Sequence, residues 1–205
     1  MRDKELMNLY EALLAECPYK EDVKWTSFNP EDFNALHEYV EFRKPSSCLE
    51  IGYAYGVSAR IIAKLMEVGK LYSVDPFVKE LILDRDRGIK TFDSSPNVVF
   101  SLLEQESAIA LPSFLQAGSA FDFIFIDGSH LFAEKFIDVY WSNRLIAKGG
   151  YVAIHDSWLP QTMQINSYIK NNFGTWRLLF RSFTLSIYKV EKQAEFTTWW
   201  QHNIF

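Results

Sequence analysis

Two short runs of the sequence combine aspartate and histidine in a way that suits proton removal or cation binding. Asp127 is followed three residues later by His130, in the run Asp-Gly-Ser-His, and Asp156 lies further along the chain. Histidine titrates near neutral pH, so His130, with Asp127 beside it, is the predicted general base for a hydroxyl group. If Asp127 and Asp156 meet, they could share a divalent cation, for which magnesium is the expected ion. Such a cation would bind the hydroxyl and lower its pKa.

A second run predicts a loop that binds a nucleotide-like ligand. Glu50-Ile51-Gly52-Tyr53-Ala54-Tyr55-Gly56 follows a short apolar stretch and has the pattern acidic-x-Gly-x-x-x-Gly. Gly52 permits a tight turn, and Gly56 permits the backbone to approach a ligand closely. A NAD-binding loop needs three glycines, and the negative side chain of Glu50 opposes a pyrophosphate. That side chain suits the ammonium group of S-adenosylmethionine, a ligand without phosphate.

Asp75 is the expected ribose contact. It lies nineteen residues after Gly56, at the end of the second predicted strand. From there it can accept hydrogen bonds from both ribose hydroxyls, because parallel sheets bind ligands at the carboxyl ends of their strands. The alternative is that Gly52 and Gly56 are ordinary turn glycines and that Asp75 caps a helix.

These residues need a scaffold that brings them to one edge of a sheet. Short apolar runs alternate with helical stretches, and the predicted strands are 48–51, 71–74, 98–101, 121–126 and 151–154. A helix is expected over 81–91, and Lys148-Gly149-Gly150 should end the helix before the fifth strand. Residues 176–180 and 185–190 read as a β-hairpin. The pattern predicts an α/β fold: a doubly wound, mostly parallel, seven-stranded Rossmann-like sheet with an antiparallel C-terminal hairpin strand at its edge.

Three parts of the chain are predicted. Residues 1–45 form an N-terminal helical extension, with apolar residues at helical spacing over 6–14 and a helix start at Asn29-Pro30-Glu31-Asp32. Residues 46–192 form the ligand-binding domain. Residues 193–205 form an aromatic tail, which we expect to pack on the domain or on a partner chain. A homodimer is therefore one arrangement to consider.

Composition limits the partners. The chain has 205 residues and a net charge of −5, without a basic stripe, so neither nucleic acid nor an anionic membrane is an expected partner. Its two cysteines suggest no disulfide framework. The charged start does not fit a signal peptide. We therefore expect a cytoplasmic protein.

Three runs of the sequence resemble those of a known family. Residues 49–58 resemble the nucleotide loop of class I S-adenosylmethionine-dependent methyltransferases. Residues 121–130 and 148–156 resemble a narrower branch, which includes the macrocin-type O-methyltransferases of sugars and macrolide antibiotics. The resemblance covers roughly residues 45–190. It implies methyl transfer from S-adenosylmethionine to the hydroxyl of a small-molecule acceptor, a sugar or another natural product.

The resemblance also implies site residues. Glu106 and Ser107 match positions that often contact the adenine amino group. In the related antibiotic enzymes the metal is held by an aspartate after the fourth strand and an acidic pair after the fifth. Here the implied set is Asp127, His155 and Asp156, and because histidine replaces a carboxylate, a transition metal competes with magnesium. The full predicted cofactor-binding set is Glu50, Gly52, Tyr53, Gly56, Ser58, Asp75, Glu106, Ser107 and Asp127.

Other interpretations stay open at this point. A nicotinamide oxidoreductase conflicts with the missing third glycine and with Glu50. A domain that binds S-adenosylmethionine without catalysis fits the loop but leaves the strand-end residues unexplained. A hydroxylase related to the same branch shares similar Asp-Gly-Ser-His and His-Asp runs. Asp127, His130 and Asp156 could also have purely structural roles.

Overall fold

One seven-stranded sheet forms the centre of the chain in a computed structural model. The structure describes residues 7–8, 10–12, 15, 29–39, 43–54, 56–76 and 97–195. Among them the helices are α1 (Pro30–Tyr39), α2 (Val57–Met66), α3 (Ser107–Gln116), α4 (Phe132–Leu145) and α5 (Pro160–Asn172). The strands are β1 (Ser47–Ile51), β2 (Gly69–Val74), β3 (Val98–Leu103), β4 (Phe121–Ile126), β5 (Ile146–His155), β6 (Trp176–Arg181) and β7 (Leu185–Val190).

The strand order confirms the predicted fold class. The order is β3-β2-β1-β4-β5-β7-β6, and the neighbours from β3 to β5 are parallel. β7 runs antiparallel to both β5 and β6. The C-terminal hairpin thus lies at the edge of the sheet as predicted, with β6 as the edge strand, antiparallel to β7 inside it. The strand order reverses between β1 and β4, which is where such sheets bind ligands.

The central strands are buried on both faces, as their apolar sequences predict. Phe123 and Phe125 of β4 pack in one core with residues of α1 and α2. Ile124 and Ile126, which alternate with them, pack in a second core with residues of α3, α4 and α5. This alternation follows from the two-residue period of a strand. Helices on both faces leave the strand ends as the accessible edges.

The fifth strand begins earlier than predicted. β5 starts at Ile146, directly after α4, so the Lys148-Gly149-Gly150 run lies inside the strand and does not end the helix. Gly149 has φ 80°, and a Cβ on Gly150 would lie 2.8 Å from the carbonyl oxygen of Asp122. The pairing of β4 with β5 shifts register nearby. The glycines thus serve an irregular strand pair rather than a helix terminus.

Several predicted segments lie outside the described residues. They are the helix over 81–91, most of the tail and part of the helical run over 6–14, of which residues 7–8 and 10–12 are helical. No helix within the described ranges is long and apolar enough to cross a membrane.

Candidate active site

Neighbouring parallel strands bring the predicted site residues to one edge of the sheet. Ile51 and Ile126, the last residues of β1 and β4, pair with each other. β5 ends close to the same level, at His155. The backbone N–H of Asp127 donates to the carbonyl of Ile51 at 2.8 Å, which joins the turn after β4 to the end of β1. The glycine loop and the Asp127 turn therefore form one continuous surface.

Both glycines of the loop are required by contacts within the protein. Gly52 has φ 94°, and a Cβ there would lie 2.3 Å from the carbonyl oxygen of Asp127. Gly56 has φ 73°, and its Cβ would lie 2.5 Å from the ring of Tyr53, which is buried. Neither glycine would accept a side chain without movement of the loop. The close approach of a ligand at Gly56, and a cofactor contact by Tyr53, stay predictions.

Glu50 is buried between β1, β2 and α2. One carboxylate oxygen accepts a hydrogen bond from Ser58 at 2.5 Å, and the other accepts one from Ser73. Burial raises the pKa of Glu50 to about 8, although both hydroxyl groups act in the opposite direction. Glu50 and Ser58 thus join the loop strand to α2. Their predicted contact with the cofactor stays a prediction, and an ammonium group near Glu50 would favour its ionised form.

Asp75 holds the glycine loop from the end of β2. Its Oδ2 atom accepts hydrogen bonds from the backbone N–H groups of Tyr53, at 2.9 Å, and Ala54, at 3.0 Å. Asp75 is thus placed beside the loop, as the sequence predicts, but with a structural contact that the sequence did not reveal. Its contact with a ribose stays a prediction.

The segment predicted to pass the adenine forms the start of α3. Glu106 is the exposed residue before the helix, and Ser107 is its first residue. Ser107 hydrogen-bonds to Asp138 of α4, a buried carboxyl whose pKa is raised by burial to about 6. The adenine contact by Glu106 or Ser107 stays a prediction.

The residues predicted to act on the acceptor lie together beyond β4 and β5. Nε2 of His130 lies 2.8 Å from Oδ2 of Asp156. Nδ1 of His155 lies 3.1 Å from Oδ1 of Asp127 and 3.6 Å from Oδ1 of Asp156. The side chain of His130 is 63% exposed and that of His155 only 8%. Of the two histidines, His130 is therefore the one that a substrate can reach.

The charges around Asp156 set the proton affinity of His130. The hydrogen bond that Nε2 of His130 donates to Asp156 raises the pKa of His130, and the opposing effect of burial is smaller. Burial would raise the pKa of Asp156, but His130, His155 and Lys135 together lower it. Lys135 is fully buried; its Nζ donates to the carbonyl of His155 at 3.2 Å and lies 3.9 Å from Asp156 Oδ2. Asp156 is thus an anion that orients an exposed imidazole.

His155 lies among carboxylates from three parts of the chain. Its Nε2 atom is 3.5 Å from Oδ2 of Asp32, in the first turn of α1. Burial alone would lower the pKa of His155, but Asp127, Asp32 and Asp156 raise it to about 10. These carboxylates therefore favour the protonated form of His155, which has a donor N–H on both nitrogens.

Three of these residues could hold a metal ion. One ligand atom each from Asp127, His130 and Asp156 lies within 4.8 Å of the others. Two carboxylates and an imidazole form a donor set that suits a divalent transition metal, and the carboxylates also suit magnesium. The structure places His130 in this group, whereas the family resemblance implied His155. His155 lies beside this group, with Nδ1 3.1 Å from Asp127 and 3.6 Å from Asp156, and its role as a metal ligand stays a prediction.

Sequence reasoning missed Asp32, Lys135 and Asp138 as members of the site. In the sequence, Asp32 was recognisable only as part of a helix start. Its partners, His155 and Thr184, lie about 120 to 150 residues further along the chain. Lys135 and Asp138 lie one helical turn apart on α4, and both are buried. In the sequence, charged residues at core-facing positions of a predicted helix were the signal that could have identified them.

The family of the chain follows from a sequence comparison. A family model described as a methyltransferase domain matches residues 49–157, which is more than half of the chain. The chain belongs to this methyltransferase domain family, as the three runs of sequence predicted. The narrower macrocin-type branch stays a prediction. Among curated proteins, none matches the sequence.

Solved structures share the fold at low sequence identity. The O-methyltransferase TomG from Streptomyces achromogenes, involved in tomaymycin synthesis and solved with S-adenosylmethionine, is 16% identical. Its TM-score is 0.67, over 88% of this chain and 89% of that one. An O-methyltransferase from Bacillus cereus, in complex with S-adenosylhomocysteine, is 16% identical with a TM-score of 0.62, over 92% of this chain and 90% of that one. A Podospora anserina methyltransferase bound to S-adenosylhomocysteine is 12% identical with a TM-score of 0.63, over 90% and 87%.

Proposed function

We propose that this methyltransferase transfers the methyl group of S-adenosylmethionine to a hydroxyl oxygen of a small molecule. The observation that supports this most directly is the pair of His130 and Asp156, 2.8 Å apart beyond the ends of β4 and β5. An exposed imidazole oriented by a carboxylate is suited to removing a hydroxyl proton. The similar structures that are described as O-methyltransferases support the same choice of acceptor atom.

The cofactor would lie against the glycine loop at the ends of β1 and β2. Asp75 and the loop amides form one polar surface there, beside the turn that contains Asp127. Glu50 lies behind the loop, where a cationic ligand would stabilise its ionised form. Two of the similar structures are solved with S-adenosylhomocysteine and one with S-adenosylmethionine, which supports this assignment.

The proton transfer follows from the orientation of His130. Because Nε2 donates to Asp156, the neutral ring has its free lone pair on Nδ1, which can accept the proton of the acceptor hydroxyl. The oxygen then forms a bond to the methyl carbon while the carbon–sulfur bond breaks. The electron pair of that bond returns to sulfur, which becomes a neutral thioether. The leaving group needs no proton, so one base is sufficient.

A metal-assisted version uses the same residues differently. Asp127, His130 and Asp156 would hold the divalent cation, magnesium or a transition metal. When bound, the cation would lower the pKa of the acceptor hydroxyl. His130 cannot be a metal ligand and a free base at once, so the two versions make opposite predictions for a chelator.

The test is a methyl-transfer assay preceded by mass analysis of any small molecule that co-purifies. Labelled S-adenosylmethionine is incubated with a panel of hydroxyl compounds, with and without EDTA. Label in an ether product supports the proposal. Turnover that EDTA abolishes assigns the metal-assisted version, and turnover that it leaves unchanged assigns His130 alone. Binding of S-adenosylhomocysteine without turnover on any acceptor would instead favour a domain that binds the cofactor without catalysis.

A further inference from the structure

Two large aromatic side chains lie exposed on the same edge of the sheet as His130 and Asp156. Trp158 follows Asp156 by two residues and is 47% exposed, and Phe183, between β6 and β7, is 72% exposed. Their rings stack, with centroids 5.9 Å apart and planes inclined by 9°. A cluster of exposed apolar side chains at the edge of a candidate site is a candidate binding surface.

The turn between β6 and β7 is firmly anchored. The hydroxyl of Thr184 donates to Oδ1 of Asp32 at 2.7 Å, and the hydroxyl of Ser182 donates to the same atom at 3.2 Å. The backbone N–H of Ser157 donates to the carbonyl of Thr184 at 3.0 Å, which joins this turn to the segment that contains Trp158. Both rings therefore stand on ordered supports, which lowers the entropy cost of binding a ligand.

The same segment packs against the proposed base. His130 contacts Asp156 at 2.8 Å, and Nε2 of Gln161 donates to the carbonyl of His130 at 2.5 Å. Trp158 lies between these two contact residues in the chain. Leu131, next to His130, is 64% exposed. Exposed apolar side chains thus lie next to the base in the chain, beside the polar groups that hold it.

We propose that the stacked rings of Trp158 and Phe183 form the acceptor subsite, and that the acceptor is a neutral hydroxyl compound with a planar aromatic ring. This inference rests on the proposed function. A planar ring can stack on the open face of the pair and place its hydroxyl toward His130. The subsite thus selects an acceptor class that the glycine loop and the cofactor do not determine.

Two features favour an aromatic acceptor over a sugar or an anion. Sugars are held by several polar side chains, but here Asp156 bonds to Nε2 of His130 and Gln161 to the His130 carbonyl, which leaves Nδ1 of His130 to bind the acceptor hydroxyl. An anionic acceptor would meet Asp127 and Asp156 at the same rim, where Lys135 and His155 offset only part of the charge of these two carboxylates and Asp32. Like charges oppose binding at such short range.

Direct binding tests the subsite. The affinities of 2-naphthol and methyl glucoside are measured by calorimetry for the protein saturated with S-adenosylhomocysteine. We expect wild-type protein to bind 2-naphthol more tightly than methyl glucoside. Phe183→Ala and Trp158→Ala should each weaken 2-naphthol binding about three- to tenfold, the size of a lost aromatic pair. Phe183→Leu, which keeps the apolar surface but removes the ring, should weaken binding as well.

Leu178→Ala is the matched control, because Leu178 is an exposed apolar residue of the same hairpin and is 46% exposed. It should leave 2-naphthol binding unchanged. Equal 2-naphthol affinity in wild type and Phe183→Ala would overturn the proposal, as would tighter binding of methyl glucoside or no binding of 2-naphthol. The affinity for S-adenosylhomocysteine is measured first in each variant. If wild-type protein does not bind S-adenosylhomocysteine, the proposed function is contradicted. If it binds S-adenosylhomocysteine but not 2-naphthol, only the proposed subsite is contradicted.

Discussion

At the scale of single residues, the pair of His130 and Asp156 predicts a pH dependence. Because Asp156 raises the pKa of His130, the acidic limb of kcat/KM for methyl transfer should lie above the ordinary histidine value of 6.5. Asp156→Asn removes the charge that favours the protonated ring, so the limb should move to lower pH. Turnover should also fall, because the ring loses its orientation. The measurement is the pH profile of both proteins at saturating cofactor.

Glu134→Gln is the control for this shift. Glu134 is an exposed carboxylate in the first turn of α4, four residues after His130. Unlike Asp156, it forms no ion pair with His130 in the part of the chain that the structure describes. Its removal should leave the limb in place. A limb that stays fixed in Asp156→Asn would show that His130 is not the titrating base.

Glu50 predicts a dependence of stability on pH. Its pKa is about 8 in the folded protein, against 4.5 for an unperturbed glutamate, so the folded state binds the additional proton between these values. The free energy of unfolding should therefore fall as pH rises from 4.5 to 8, by at most about 1.4 kcal/mol per pH unit. Glu50→Gln should flatten this dependence and weaken cofactor binding. Denaturant unfolding at several pH values is the measurement, and an unchanged slope in the variant would contradict it.

Single residues also show where sequence reasoning ends. Placing Asp127 and Asp156 at one rim required only that parallel strands end at the same edge. The partners within the rim could not be predicted: His130 pairs with Asp156, and His155 pairs with Asp127 and Asp32. These choices depend on side-chain directions in two turns and on a helix far away in the sequence. The carboxylates around His155 raise its pKa and favour its protonated form, and its role as a metal ligand stays a prediction.

At the scale of elements, Asp32 joins α1 to the hairpin turn and to β5. Its carboxylate, buried and near His155, accepts hydrogen bonds from Thr184 and Ser182. Asp32→Asn keeps the shape but removes the charge, and should lower the free energy of unfolding by about 1–3 kcal/mol. Glu31→Gln, an exposed acid in the same helical turn, should have little effect. Denaturant unfolding compares the two, and equal losses would contradict the role of Asp32.

The loop after β1 predicts a clear contrast between two glycines. At Gly52, with φ 94°, a Cβ would collide with the Asp127 carbonyl; Gly118 has a similar φ of 70° but open space around it. Gly118→Ala should cost about 1 kcal/mol of backbone strain. Gly52→Ala also displaces the turn at Asp127, so it should lower the free energy of unfolding by more than Gly118→Ala does. It should also weaken S-adenosylhomocysteine binding. Calorimetry and thermal unfolding of both variants test this, and similar losses would count against the packing described.

Elements with a strong apolar pattern were predicted well. The prediction for β4 matches its bounds, because the six residues Phe-Asp-Phe-Ile-Phe-Ile stand between clear turn signals. β5 was predicted too short, because Lys148-Gly149-Gly150 resembles a helix stop, whereas here the glycines permit an irregular pairing with β4. Local sequence cannot separate these two uses of glycine. Only the neighbouring strand decides between them.

At the scale of the whole molecule, we propose that the N-terminal extension, residues 1–45, is part of the active unit. α1 contributes Asp32 to the network around His155, and its apolar face packs on the sheet with α2. We place the ligand-binding domain at residues 46–192. Just beyond it, the backbone of Ala194 exchanges hydrogen bonds with the side-chain amide of Asn143, and the side-chain amide of Gln193 donates to the carbonyl of Arg144, both on α4. The tail from residue 193 thus begins on the domain surface, and its packing beyond residue 195 stays a prediction.

The most direct test of the central claim is single-turnover transfer of labelled methyl from S-adenosylmethionine in wild type and His130→Ala, with 2-naphthol among the acceptors and with EDTA present and absent. In the version without metal we predict that His130→Ala lowers the transfer rate by roughly 10²–10⁴-fold and that EDTA has no effect. In the metal-assisted version, EDTA and His130→Ala should abolish transfer alike. Either way, the affinity for S-adenosylhomocysteine should stay near the wild-type value, because His130 lies on the acceptor side. Transfer at the wild-type rate in His130→Ala, or binding of NADH in place of S-adenosylmethionine, would contradict the account.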